Sequence, residues 1–368
     1  MSVFMTVVLL VILVIEGLIL AVTPWLIKRS EVFAVTIPSA EYNHPRLRLL
    51  RRMYVVTLSA TTVLLVIVLI ALAILASMDD FFIVYSIACF MIILVAIPAY
   101  LICRSQALKL KATENWALRA GDQVSAVTST ITVKDPPAMA WNLLYIVVLL
   151  ITIVIQIVLY PQMPDQLVMQ IDLDGTVTST IQKSPASMLF APLVQAFMAS
   201  CMVFAYWMMC RGRLDINPSY PFASAHRSAL FVRIQALVLL FFGVLTCAAI
   251  TLIPFTFVGW LPLQTAGLIM MAVIVMMLVA ELYIALKYGQ FGARLAPSAE
   301  AESSIARDDD RYWRLGMFYF NPNDPVLFLP KRFGVGWTSN FARPMVWLFI
   351  IGLVLLTTAF VAAVFLLV

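Results

Sequence analysis

Charge is what this chain has least of. Asp, Glu, Lys and Arg make up 12% of its 368 residues, against about 25% in an ordinary soluble domain. With 63% hydrophobic residues and a mean hydropathy of +1.00, the chain has far more apolar surface than a water-facing globule hides. It reads as an integral membrane protein, so length does not count domains. Histidine is scarce too: only His44 and His226 occur. No HExxH, no GxSxG and no cluster of metal-ligand spacing is present, so neither a cofactor nor a metal is expected. The five cysteines, Cys89, Cys103, Cys201, Cys210 and Cys247, lie in apolar runs or at their ends. That placement excludes a disulfide framework, and nothing in the spacing brings Cys103 or Cys210 to a histidine. The reading leans away from an enzyme.

What is present is eight apolar runs, near 4–27, 53–77, 81–103, 141–160, 186–210, 229–254, 264–288 and 343–368. Each has the roughly 20 residues a helix needs to cross the hydrocarbon. The first is too long for a signal-peptide core and has no basic stretch before it, so it is expected to stay as a helix. The expected fold is an all-α polytopic membrane protein of eight transmembrane helices. Twenty-three of the 24 Lys and Arg residues fall in alternate loops or in the ends of the runs that border them, and only Lys183 falls in the others. The positive-inside rule then puts both termini outside the cell membrane. The net charge of +5 is explained by that topology and does not point to nucleic acid; the lipid bilayer is the expected partner.

The loop 161–185 is thereby extracytoplasmic. Within it, "MQIDL" alternates apolar and polar residues, "DG" follows, then "TVTST". Alternation around Asp-Gly is a strong hairpin signal, because both turn positions take positive φ. Strands are expected near 168–173 and 176–181, with Asp174 and Gly175 at the tip. Tyr160, Pro161 and Pro164 mark the helix exit. Asp172 and Asp174 match two positions of a calcium loop, but the glutamate such a loop needs is missing. With Asp79, Asp80 and Asp165, these loops are acidic on balance, Lys183 being their one cation.

On the other side, "APSAEAESSIARDDD" reads as a linker, and 289–311 is assigned to it. Residues 312–342 follow as a compact, turn-rich module before the last helix. Its aromatic residues (Trp313, Phe318, Tyr319, Phe320, Phe328, Phe333 and Trp337) suit anchoring at the membrane interface. "NPNDP" is a turn in which Asn and Asp bond the local backbone. "GVG" is similar to backbone nests that hold anions. Inside the membrane, Glu16 lies near the middle of the first run. Glu281 in the seventh and Arg233 in the sixth lie at matched depth and are expected to pair, since intramembrane charge is costly alone.

The run "YPQMPDQLVMQIDLDGTVTSTIQKSPASM" resembles the signature of the SdpI-like bacterial membrane proteins through Tyr160, Pro161, Pro164, Asp165, Gly175, Lys183 and Ser184. Gln170 stands where that pattern has His, and Asp172 where it has Asn. A second run resembles an uncharacterised C-terminal module of some of these proteins. Trp313, Gly316, Tyr319, Asn321, Pro322, Asp324, Pro325, Lys331, Arg332, Gly334, Gly336, Trp337 and Asn340 carry it. "EVFAVTIP", Glu31 to Pro38, is similar to the stretch after their first helix. The resemblance implies immunity to a secreted peptide toxin, with signalling by holding a cytoplasmic repressor at the membrane. The implied setting is a bacterial plasma membrane of Gram-positive type.

The leading expectation is therefore a membrane protein that gives immunity to, or senses, a membrane-active peptide or envelope stress. A cationic peptide is the expected outer partner, drawn by charge to Asp165, Asp172 and Asp174, with Tyr160, Pro164, Gln170, Gly175 and Lys183 making up the rest of the candidate binding loop. The alternative is a transporter or channel for a small solute, peptide or lipid, using Glu16, Arg233 and Glu281. The third is a non-catalytic scaffold or signalling subunit whose cytoplasmic module docks a regulator or membrane partner.

Overall fold

The computed structural model describes residues 3–75, 78–116, 136–171, 176–216, 220–295, 309–334 and 336–367. Eight of its helices are long and apolar enough to cross a membrane. They belong to α1 (Val3–Leu26), α2 (Pro45–Leu75), α3 (Met78–Thr113), α4 (Leu143–Leu159), α5 (Phe190–Arg211), α6 (Pro221–Ile250), α8 (Leu263–Tyr288) and α9 (Pro344–Leu367); the short α7 (Ile253–Phe257) lies between α6 and α8. Pro221 opens α6 at a position where its missing N–H is no loss. Gly289, at φ +64°, stops α8.

Two helix groups form. α1, α2 and α3 pack together, as do α4, α5, α6 and α8, and α1 meets α8. Close approach is built in where side chains are absent. A Cβ on Gly17 would overlap Thr62 of α2, and one on Gly243 of α6 would overlap the Tyr145 ring of α4. α9 leans on α5, with Phe360 stacked on Phe197 at 4.2 Å, and is exposed along most of its length. Large aliphatic side chains such as Ile74, Leu94, Ile157 and Leu355 are likewise exposed, as expected of surfaces that face lipid rather than water.

The connections fall at two ends. At one, β3 (Gln166–Ile171) pairs antiparallel with β4 (Val177–Gln182). Leu167 and Ile181 bury against Leu159, Met163 and Phe257. The opposite end holds β1 (Glu31–Val32), β2 (Val35–Thr36), β5 (Trp313–Arg314), β6 (Phe318–Tyr319), β7 (Phe328–Pro330) and β8 (Trp337–Ser339), paired in sequence as three small antiparallel ladders. A parallel bridge from Tyr319 to Asn340 joins the last two.

The linker is shorter than the sequence implies. Residues Gln290–Leu295 form a tight turn in which Gln290, Phe291 and Gly292 are buried. Arg294 donates to the Leu286 carbonyl at 2.5 Å and the Trp25 carbonyl at 3.2 Å, placing one cation at the C-termini of α8 and α1, where carbonyls are otherwise unpaired. Asp309 and Asp310, assigned to the linker from sequence, belong to the module. Residues 296–308 lie outside the described residues.

Candidate functional site

The densest polar arrangement is the seam between the module and the first helix group. It begins at β1–β2. Two-residue hairpin turns need positive φ and usually take Asn or Gly. Here Phe33 and Ala34 supply it, at φ +48° and +58°, and both are fully buried. The cost is met by contacts. Phe33 lies 5.6 Å from the Tyr54 ring and 5.8 Å from the Phe333 ring. Arg104 of α3 donates to the Ala34 and Phe33 carbonyls at 2.5 and 3.2 Å and to the Trp313 carbonyl at 3.4 Å. Gly316, at φ +72°, sits where a Cβ would overlap Tyr100, Arg104 and Ala34.

Asp310 is the hub. It accepts from the Thr36 hydroxyl at 2.7 Å, the Thr36 N–H at 3.2 Å and the Lys111 ammonium at 2.8 Å, and it pairs with Arg332. Burial pushes its carboxyl up, but Arg332, then Lys111 and Thr36, outweigh that and hold it below the ordinary value. Arg332 also pairs with Asp309, and its guanidinium lies 5.2 Å over the Trp313 ring. Burial lowers Arg332, and the surrounding carboxylates more than offset this, so it is held above its ordinary value. Beside them Glu31 is buried, with no partner for Oε2 among the described groups; burial pushes its carboxyl up despite Lys28 and Arg332 nearby. Lys28 pairs with Asp215 at 2.5 Å, which ties the end of α1 to the segment before α6.

The module's own centre is Asn340, 0% exposed. Its Oδ1 accepts from the Asn321 and Ala342 N–H groups, and its Nδ2 donates to the Asn321 and Asp324 carbonyls, all within 2.9–3.2 Å. Asp324 accepts from the Val326 N–H at 3.1 Å, the Tyr319 hydroxyl at 2.9 Å and Arg213 at 2.9 Å. Burial raises the Asp324 carboxyl, but the Val326 N–H, Arg213 and Tyr319 hold it below the ordinary range; burial pushes the Tyr319 hydroxyl up to about 12. The turn around "NPNDP" is thus a polar knot.

The same module reaches the second helix group through different residues. The Arg213 N–H donates to the Phe328 carbonyl at 2.9 Å. Gln290 Nε2 donates to the Lys331 carbonyl. The Trp337 ring lies 5.1 Å from Phe291 and 6.3 Å from Phe231, in a slot that a Cβ on Gly212 would fill. Lys331 and Pro325 are exposed. Gly334 and Gly336, at φ +88° and +114°, flank Val335, which lies outside the described residues.

Several sequence expectations change. Trp313, Tyr319 and Phe328 are 2–5% exposed, so they form the module's interior rather than interface anchors; Phe318 remains outside at 46%. At the far end, Lys183 closes the base of the β3–β4 pair. Its N–H donates to the Asp165 carbonyl at 2.8 Å, its ammonium to the Met163 carbonyl at 2.8 Å, and it lies 4.8 Å over the Tyr160 ring. Pro164, Asp165 and Gln170 are exposed. Asp172, Asp174 and Gly175 lie outside the described residues. Inside the bundle, Glu281 accepts from Gln235 Nε2 at 3.1 Å, on the stretch of α6 that carries Arg233. Glu16 of α1 meets the Cys89 thiol of α3, so the two carboxylates serve different helix interfaces. Among the described residues no group of three or more His, Cys, Asp or Glu is placed to hold a metal.

Sequence reasoning passed over Lys28, Arg104, Lys111, Asp215, Asp309 and Asp310. The signal was available in one form: in a chain this poor in charge, Lys28 and Arg104 directly follow apolar runs, and Lys111 and Asp215 come soon after the ends of others on the same side.

A family model described as a family of unknown function (DUF5808) matches residues 322–347, the stretch from the polar knot to the first turn of α9. No curated protein and no solved structure matches the chain.

Proposed function

We propose that this chain is a non-catalytic receptor of the cell membrane that senses, and protects against, a membrane-active cationic peptide. The module end faces the cytoplasm and the β3–β4 end faces out, with both termini outside. The charge distribution supports that orientation, since nearly every Lys and Arg belongs to loops at the module end. The acidic loops at the other end, with Asp165, Asp172 and Asp174, draw the peptide by long-range attraction.

One observation carries the signalling half of this reading: the module grips both helix groups, through non-overlapping residues. Asp310 and Arg332 join it to α3 and β1–β2. Asp324, Phe328 and Trp337 join it to the α5–α6 side. A peptide that shifts one helix group against the other must therefore break or rearrange a module contact, which is how a small movement becomes a two-state change. A cytoplasmic regulator would read the released face. A transporter would need its intramembrane carboxylates along one route, whereas Glu16 and Glu281 sit in separate interfaces.

The test is a deletion strain, complemented in turn with wild type, Asp310→Asn, and a variant with Asn at 165, 172 and 174, challenged with a panel of membrane-active peptides. The expected result is selective sensitivity of the deletion, rescue by wild type, loss of peptide binding in the triple variant, and retained binding without protection in Asp310→Asn. Equal survival of the deletion and wild type across the panel would refute the reading.

A further inference from the structure

We propose that the outer face of β5–β6 is a membrane-contact surface that inserts its aromatic edge into the headgroup layer and pairs its arginines with anionic lipid. This surface does not depend on the receptor reading above. The pairing of Arg314 with Phe318 puts these two side chains on one face of the ladder, while Trp313 and Tyr319 point inward. The outward face is apolar at its turn, where Leu315 is 58% exposed, and Phe318 lies beside it. Two such side chains would be ordinary singly, but where exposed apolar groups run on contiguously they mark a contact surface.

The neighbours say which partner. The Phe318 ring lies 5.5 Å from the Phe341 ring, which lies 6.0 Å from the Trp347 ring. Trp347 Nε1 donates to the Phe341 carbonyl at 3.0 Å. An unbroken aromatic row therefore runs from the module edge to the first turn of α9, a helix that starts crossing the apolar layer at Pro344. That row ends on Trp347, whose ring carries a polar N–H handle of the kind favoured at the depth of the headgroups. Two exposed cations flank the edge: Arg314 lies 4.3 Å over the Phe320 ring and Arg311 lies 4.7 Å over the Tyr312 ring. An edge that is aromatic at one margin and basic at the other matches the boundary between acyl chains and phosphates. A protein partner would have to approach through that boundary.

The test places a bimane label at Phe318→Cys in the full chain, with the exposed Cys210 changed to Ser. The protein is reconstituted in nanodiscs of phosphatidylcholine with phosphatidylglycerol. A label at Trp347→Cys gives the reference for a boundary side chain. Lipids carrying a nitroxide near the headgroup should quench the 318 label several-fold more than aqueous iodide does, and about as strongly as the 347 label. Anionic nitroxide lipid should quench more than zwitterionic, and Arg311→Gln with Arg314→Gln should bring the two to parity. Stronger quenching by iodide would overturn the proposal. So would protection from both quenchers, the sign that a second copy or another protein covers the face, and so would lipid quenching indifferent to lipid charge.

Discussion

Replacing Asp310 with Asn should release β1–β2 and α3 from the module without unfolding the helices. The wild-type carboxylate takes two contacts from Thr36, one from Lys111 and one from Arg332. The Asp310, Lys111 and Arg332 side chains are only 14%, 13% and 6% exposed, so solvent compensates little. Removing one partner from such a buried set costs about 3–5 kcal/mol, because the remaining charges stay buried and unpaired. Asp309 still faces Arg332, which favours the lower figure. About 3 kcal/mol corresponds to a ratio of about 150 at 1.36 kcal/mol per factor of ten. Hydrogen exchange of the peptide covering 31–37, in protein held in lipid nanodiscs, reads this directly, since the Thr36 N–H is one of the donors. Protection should fall by about two orders of magnitude, while that of α5 and α6 holds. The pH dependence supplies an internal check. Asp310 is held below its ordinary value of 3.8, so its contribution is fully present above that value and is lost as pH falls through the depressed one. After correction for intrinsic exchange, wild type should lose protection in that acid window, and Asp310→Asn should not. A change of less than about threefold in the variant would show that the cluster does not hold the module and would refute the argument.

Glu31 carries the opposite sign. Burial raises its carboxyl above 4.5, so its charged form weakens the fold as pH climbs from that value through the raised one; Glu31→Gln should leave protection of 31–37 unchanged in acid and increase it at pH 8. Asn340→Ala removes four hydrogen bonds at about 1 kcal/mol each, and should lower the unfolding free energy of the module by about 4 kcal/mol, read as accelerated proteolysis between 309 and 343. Gly243→Ala drives a methyl into Tyr145 and should destabilise α4 against α6 by about 1–3 kcal/mol, measured as a lower melting midpoint in detergent. Tyr145→Phe alone should cost nothing, because its buried hydroxyl has no partner among the described groups, and it should restore much of the Gly243→Ala loss.

The helices were legible because hydropathy reports the part of a helix that lies in hydrocarbon. Its blind spot is just as physical. α2 starts at Pro45 and α6 at Pro221, each eight residues before its apolar run, and α3 continues to Thr113, ten residues past its own. Backbone hydrogen bonding does not stop at the membrane boundary, and Arg46, Arg48 and Lys109 are comfortable in a helix in water. "NPNDP" was readable as a turn, because Asx bonding is local. The ionic cluster was not, because its chemistry is nonlocal: Thr36 and Asp310 are 274 residues apart and Ala34 and Arg332 are 298 apart. Asp309 and Asp310 end an acidic run that looks solvated until Arg332 is folded onto them. Phe33 and Ala34 gave no sign of a turn, since nothing in their chemistry asks for positive φ; the surrounding rings and Arg104 impose it.

The separation of Thr36 from Asp310 also sets a clock. A ribosome adding about 5–20 residues per second delivers Asp310 about 14–55 s after Thr36, given their 274-residue spacing. For that interval the first hairpin has Arg104, Tyr54 and Tyr100 against it but lacks Arg332 and the Phe333 ring. A chain that stalls or is cut before the module never closes this seam. Its first loop keeps apolar surface exposed, the feature that makes incompletely folded species prone to aggregate.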